Sequence, residues 1–204
     1  MSEIKQLFDQ LQEFKLLPVN KWHPNKSLDI GLHITANGEW YYQGSLIQRQ
    51  RLVKLFCSVL RLERDGCYFL VTPQLKYPVA VDDAPFQAVE LSQQGVGPDQ
   101  NLIFRTNVND VVLADRDHPI EVRVNPESGQ PSPYVEVRDG LKAKICRSVY
   151  YELAQLLQPV ESNGKHARDE NPQSDNTQAN NVRGDREVVG VYSAGQFFPF
   201  GSLK

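Results

Sequence analysis

Four basic residues stand where a helix start could put them to use. Arg49 and Arg51 open one helix-period stretch, and Arg138 and Lys142 flank the start of a second. A helix N-terminus presents free backbone N–H groups and a partial positive charge. A guanidinium beside it makes a site suited to an anion such as phosphate. The plainer reading is solvated surface charge, since cations at a helix start oppose the dipole unless something negative is near. Asp82 and Asp83, followed by Pro85 and Phe86, offer adjacent carboxylates in a tight turn. Such a pair could serve acid/base chemistry or a hard cation, but Asp and Pro are also the ordinary residues of a connecting turn. The turn reading is preferred.

The other candidates are weaker. His23, His33, His118 and His166 are scattered, and none pairs with a cysteine at zinc-finger spacing. No metal site is expected. His118, before Pro119 at a strand entry, remains a candidate lining residue. Trp40, Tyr41 and Tyr42 could stack a base, though aromatic residues on paired strands more often pack a core. Gly95 and Gly97 lack the strand-to-helix setting of a dinucleotide fingerprint, and there is no Gly-Lys-Ser/Thr loop. Ser193 has no glycine two residues before it, so it is not a nucleophile elbow.

The elements that must position these residues form a pattern that occurs twice. The first copy is an alternating strand at 29–34, an Asn37-Gly38 turn, an aromatic strand at 40–42, Gly44, and a helix expected over 47–62. The second is a strand at 120–124, a Pro/Ser/Gly turn, a strand at 134–137, Gly140, and a helix expected over 141–157. A turn and a short aromatic strand follow each helix. Leu52, Val53 and Phe56 of the first stripe match Val149, Tyr150 and Leu153 of the second at a constant offset. Ser45 is the expected cap of the first helix. A repeated supersecondary unit implies related lobes, and the groove between lobes is a common ligand site.

Around these copies, Ile4, Leu7, Phe8, Leu11 and Phe14 predict a leading amphipathic helix over 2–15, and Pro18 and Pro24 an extended connection holding Trp22. Short strands are expected at 79–81, 86–91, 102–105 and 111–114. The stretch 162–186 is polar and nearly empty of large apolar residues, so it is expected to stay disordered. Strands at 188–192 and 197–200 are expected to complete the second lobe's sheet. The chain has 204 residues, a net charge of -3 and 40% hydrophobic residues. That excludes neither one domain nor two, but gives no broad electrostatic reason for a nucleic-acid polymer. No apolar run is long enough for a membrane span, and Cys57, Cys67 and Cys146 are scattered, as in a reducing cytoplasm.

Several blocks resemble a known family. Residues 38–49, 68–73, 82–86, 104–107, 118–119, 134–138 and 192–199 are similar, in order, to the bacterial domain-of-unknown-function 1285 family. The likeness spans about Trp22 to Gly201, with 162–186 as an insertion. It implies a duplicated architecture, a C-terminal lobe superficially like a pleckstrin-homology β-barrel, and a groove between domains. It also implies a nucleotide-like ligand and a signalling role.

The combined expectation is an α+β protein of two lobes. A strand-turn-strand-helix-strand unit is duplicated, with domains at 1–77 and 78–204, the latter β-rich with one helix. The function expected is non-catalytic binding or sensing of a small anionic, nucleotide-like ligand between the lobes, with no cofactor. The ligand residues expected are Arg49, Pro73, Asp82, Asp83, Phe86, Thr106, Asn107, His118 and Arg138. The alternatives are a module that binds a peptide or partner protein, and an enzyme using Asp82, Asp83 and His118.

Overall fold

The computed structural model describes residues 19–124, 126, 129–160 and 188–202. The expected helix at 2–15 and the polar insert at 162–186 lie outside these residues. The first lobe opens with a 3-10 turn at Val19–Lys21. It continues with β1 (Lys26–Ser27), β2 (Leu32–Ile34), β3 (Trp40–Tyr42) and β4 (Ser45–Leu46). Then come α1 (Gln50–Ser58), β5 (Leu60–Leu62), β6 (Tyr68–Val71) and β7 (Leu75–Val81). The second lobe begins with β8 (Phe86–Gln94), β9 (Asn101–Thr106) and β10 (Val111–Leu113). It goes on through β11 (Ile120–Val124), β12 (Pro131–Arg138), β13 (Leu141–Ile145) and α2 (Arg147–Ala154). It closes with β14 (Gln158–Val160), β15 (Val188–Ser193) and β16 (Gln196–Ser202).

Both lobes solve strand pairing in the same way. The first sheet runs β4-β3-β2-β7-β6-β5, with β1 also paired to β7. The second runs β10-β9-β8-β13-β12-β11. Each is a pair of three-stranded meanders. The first strand of one meander lies parallel to the last strand of the next: β2 on β7, and β8 on β13. The duplication read from the sequence is present as well, since the order β2-β3-β4-α1-β5-β6 recurs as β11-β12-β13-α2-β14-β15. Matching hairpins support it. Gln43 and Gly44 (φ 48 and 75) join β3 to β4, and Asp139 and Gly140 (φ 46 and 78) join β12 to β13. Two successive positive φ values give the turn whose twist suits a two-residue hairpin. The helices also start in register with the offset of their apolar stripes. Val53 and Phe56 are buried on α1, and Val149 and Leu153 on α2.

The helix bounds differ from those expected. The expected helix over 47–62 is only α1, because Leu60–Leu62 pairs with Tyr68–Leu70 as a strand. Ser45 belongs to β4 and caps nothing; the N-cap of α1 is Arg49, without a side-chain bond. The expected helix over 141–157 begins instead as a strand. Leu141, Ala143 and Ile145 alternate buried with Lys142 and Lys144 half-buried. Arg138 and Lys142 therefore sit on a hairpin, not at a helix start. The first sheet also runs past residue 77, since Val79–Val81 of β7 pairs with β2.

The core packs Trp40 against Phe56, ring centroids 5.9 Å apart, and includes Leu70, Phe86, Leu102, Phe104, Leu141 and Leu153. Each such side chain contributes about 1.5–3 kcal/mol by leaving water. The third sheet, β14-β15-β16, closes on the second through Ser193. Its buried Oγ donates to the Ala114 carbonyl at 2.6 Å and accepts the Leu102 N–H at 2.9 Å. Gly190 is required there, since a Cβ would fall 2.3 Å from the Phe198 carbonyl oxygen.

Candidate ligand site between the lobes

The seam between the lobes has two chemically different parts. In the first, Arg138 reaches from the end of β12 into the first lobe. It donates to the Cys57 carbonyl at 2.7 Å and to Asp110 at 2.9 Å. Its guanidinium also lies 5.2 Å from the Phe86 ring centroid. Cys57 is in the last turn of α1, where unpaired carbonyls and the negative dipole end favour a cation. Thr106 holds the turn that presents Asp110, accepting the Asp110 and Val108 N–H groups at 3.0 and 3.4 Å. Asn107 accepts the Gln87 N–H at 3.1 Å and donates to the Gly38 carbonyl at 3.4 Å. Gln87 donates its side-chain amide to the Ala36 carbonyl at 3.1 Å.

Gly38 lets the lobes approach here: it has φ +76, and a Cβ would lie 2.9 Å from both Asn107 Nδ2 and Gln87 Cγ. Four expected site residues, Phe86, Thr106, Asn107 and Arg138, are thus brought together. The side chains of Arg138 and Asn107 join one lobe to the other, while Thr106 bonds within its own turn. Burial pushes the nearby Cys57 thiol up to about 12, against the pull of the Arg138 charge, so it stays protonated.

The other expected residues are placed apart from that cluster. Arg49 is exposed at the start of α1, while Arg138 caps its end. A helix of this length separates them by about 13 Å. Pro73 is half-buried in the turn from β6 to β7. Asp82 turns to the first lobe and accepts from His33 Nε2 at 2.7 Å. Asp83 turns to the second, accepting the Tyr134 hydroxyl at 2.7 Å and Lys144 Nζ at 2.6 Å. The neighbouring carboxylates therefore diverge. His118 pairs with Asp115 at 3.0 Å in the turn before β11. Burial pushes Asp115 up, but hydrogen bonds from the His118 ring and backbone outweigh it and hold its carboxyl below the usual range. Asp83 lines a cavity to which neither Asp82 nor His118 contributes. Among the described residues no three His, Cys, Asp or Glu side chains gather as a metal site.

The second part of the seam is a cavity of about 270 Å³. Leu62 and Tyr68 come from the first lobe, and Arg123, Tyr134, Glu136 and Lys142 from the second, with Asp83 between them. Strand pairing builds this wall. Glu121 faces Tyr134 across β11 and β12, and Glu136 faces Lys142 across β12 and β13. The Arg123 guanidinium stands 4.7 Å from the Tyr134 ring centroid. It has no carboxylate partner among the described residues, whereas Lys142 is paired with Glu121 and Lys144 with Asp83. Burial, and then the bond to Asp83, push the Tyr134 hydroxyl up to about 12. Burial also raises Tyr68. Both phenols remain neutral donors.

Of this cavity the sequence reading named Asp83, and Lys142 only as a basic residue near a helix. Arg123, Tyr68, Tyr134 and Glu136 were missed as site residues. The usable signal was the alternation of polar residues through Glu121, Arg123, Tyr134, Glu136 and Lys142, which a strand puts on one face.

These features define a two-lobed α+β protein of repeated meanders with a charged and aromatic cavity at its seam. The chain belongs to the DUF1285 family. Residues 17–84 match the N-terminal domain of unknown function (DUF1285), and residues 85–168 the C-terminal domain of the protein of unknown function (DUF1285). The two matches meet in the linker between β7 and β8. A DUF1285 family protein from Silicibacter pomeroyi DSS-3 is 34% identical, over 97% of this chain and 95% of that one, with a TM-score of 0.77. Another, from Shewanella baltica OS155, is 27% identical over 61% of this chain and 91% of its own, with a TM-score of 0.47. No curated protein matches the chain. Among the described residues no helix is long and apolar enough to cross a membrane.

Proposed function

We propose that the protein is a binding or sensing protein that takes a small anionic, nucleotide-like ligand in the cavity lined by Arg123, Lys142, Tyr68 and Tyr134. The observation that carries this reading is Arg123. It has no acidic partner among the described residues, and it lies on a tyrosine ring at the edge of a cavity made by both lobes. A guanidinium offers a planar fork of donors to a phosphate. Tyr68 supplies a ring and a neutral hydroxyl donor, while Tyr134, whose hydroxyl is given to Asp83, supplies the ring that carries Arg123. Because both lobes form the walls, a bound ligand favours the arrangement of lobes that makes the cavity. A role in signal transduction follows from that coupling.

The test is a thermal-shift panel of nucleoside mono-, di- and cyclic phosphates. A ligand that binds only the folded state raises the midpoint by mass action. At least one member is expected to raise it in a saturable manner. No saturable shift from any member at millimolar concentration overturns the reading.

A further inference from the structure

The cavity that Arg123 lines also holds an acceptor that the described residues leave uncommitted. Glu136 is two residues from Tyr134 on β12, so the strand puts both on one face, and both line the cavity. Glu136 is half-buried. Its Oε1 accepts the Gly140 N–H at 2.9 Å, and Gly140 is itself a lining residue, so the carboxylate is held at the cavity wall. Among the described residues no cation pairs with it. Lys142 faces it across β12 and β13 but is given to Glu121 at 2.5 Å. Oε2 has no partner among the described residues, and Oε1 keeps a second lone pair. The cavity's other carboxylate, Asp83, is already committed, with one oxygen on Tyr134 and the other on Lys144.

The two uncommitted groups stand at opposite ends of the wall. Arg123 faces Ser132 on β12, and Glu136 is four residues further along that strand, about 13 Å at the backbone. Tyr134 lies between them, and the Arg123 side chain leans over its ring and shortens the span. A ligand that completes the cavity therefore carries an anion at one end and hydrogen-bond donors at the other. We infer that this donor end is guanine, an inference that rests on the nucleotide-like reading of the cavity. Guanine presents two adjacent donors, N1–H and the 2-amino group, and a carboxylate presents two acceptors side by side. Adenine puts the acceptor N1 at that place, where it meets a second acceptor and is repelled. Uracil has a single N–H between two carbonyls, which face the carboxylate in the same unfavourable way. Leu62 and Tyr68 of the first lobe give the flat face of the base an apolar and aromatic surface. Glu136 is thus the residue that sets specificity, and Arg123 the one that holds the phosphate.

The test is calorimetry of GMP, IMP, AMP and UMP on the full chain and on Glu136→Gln. IMP keeps the N1–H of guanine and lacks its 2-amino group. GMP is expected to bind at least about tenfold tighter than AMP or UMP, with IMP between GMP and AMP, because a site built for donors rejects bases without them. In Glu136→Gln the side-chain oxygen still accepts from Gly140, so the hairpin keeps its bond and the melting midpoint stays. The amide then sets a donor against the donors of guanine. GMP is expected to weaken about tenfold there and to lose its advantage over AMP. If that variant does not fold, the ranking on the parent chain decides. Equal affinities, or AMP or UMP binding tightest, overturn the guanine inference, while binding that is lost in Arg123→Ala leaves the anion site itself standing. An unchanged preference for GMP in folded Glu136→Gln also overturns it. So does no binding by any of the four, and the wider nucleotide panel then decides separately on the site.

Discussion

Arg138 and Arg123 sit in the same seam, each over an aromatic ring, yet their chemistry is opposite. Arg138 lies over Phe86 and spends its donors on Asp110 and the Cys57 carbonyl. Arg123 lies over Tyr134 and has no acidic partner among the described residues. The difference is one of commitment: a basic residue in a groove has donors for a ligand only when other groups have not already taken them. Arg138 is a fastener that caps one lobe's helix with the other lobe's charge. Arg123 has donors to offer.

The largest expected effect comes from breaking the fastener. Arg138→Ala removes two charge-assisted hydrogen bonds and leaves Asp110 without its cation. Because the pair is about one-third exposed, the loss is about 3 kcal/mol in a denaturant melt rather than the full sum for two such bonds. A loss below about 1 kcal/mol would show that the lobes hold together without it. Next is Gly38→Ala, which places a Cβ against Asn107 and Gln87 at a positive φ. About 2 kcal/mol is expected, read in the same melt.

A smaller effect separates the two halves of the seam by pH. The Tyr134 hydroxyl is raised to about 12 from an ordinary value of 10.0. The folded state therefore keeps a proton that the unfolded chain releases. The stabilisation is complete below pH 10 and is lost as pH rises through about 12. Tyrosinate absorbance in the folded protein should show late-titrating phenol, and Tyr134→Phe should remove the part that titrates near pH 12 while leaving that of the raised Tyr68. The smallest effect is kinetic. Thiol reagents should modify exposed Cys67 first and leave buried, protonated Cys57 until the seam opens. Arg138→Ala should hasten the Cys57 reaction.

Local pattern made much of this architecture legible before the structure. The Gln43-Gly44 and Asp139-Gly140 turns and the offset stripes of α1 and α2 are short-range signals, and the duplication rests on them. The helix ends were not legible. Leu141, Ala143 and Ile145 alternate as a strand, while Ile145, Val149 and Leu153 recur at helical spacing, so a single window supports both periods. The site was harder still, because it depends on contacts between residues far apart in sequence. Nothing in the run Asp82-Asp83 says that one carboxylate turns to His33 and the other to Tyr134 and Lys144. Nor does the sequence around Arg138 announce Cys57 as its partner. The parallel pairings of β2 with β7 and β8 with β13 decide these matters, and their registers are set by the packed fold.

The most direct test of the contrast between the two arginines is calorimetry with the best nucleotide from the thermal-shift panel, on the parent protein, Arg123→Ala and Arg49→Ala. Arg123→Ala should weaken binding by about 1.5–3 kcal/mol, the worth of a charge-assisted hydrogen bond, while its melt stays within about 0.5 kcal/mol of the parent. Arg49→Ala should bind as the parent does. Unchanged affinity in folded Arg123→Ala, or a loss confined to Arg49→Ala, would contradict the assignment of the ligand site to Arg123.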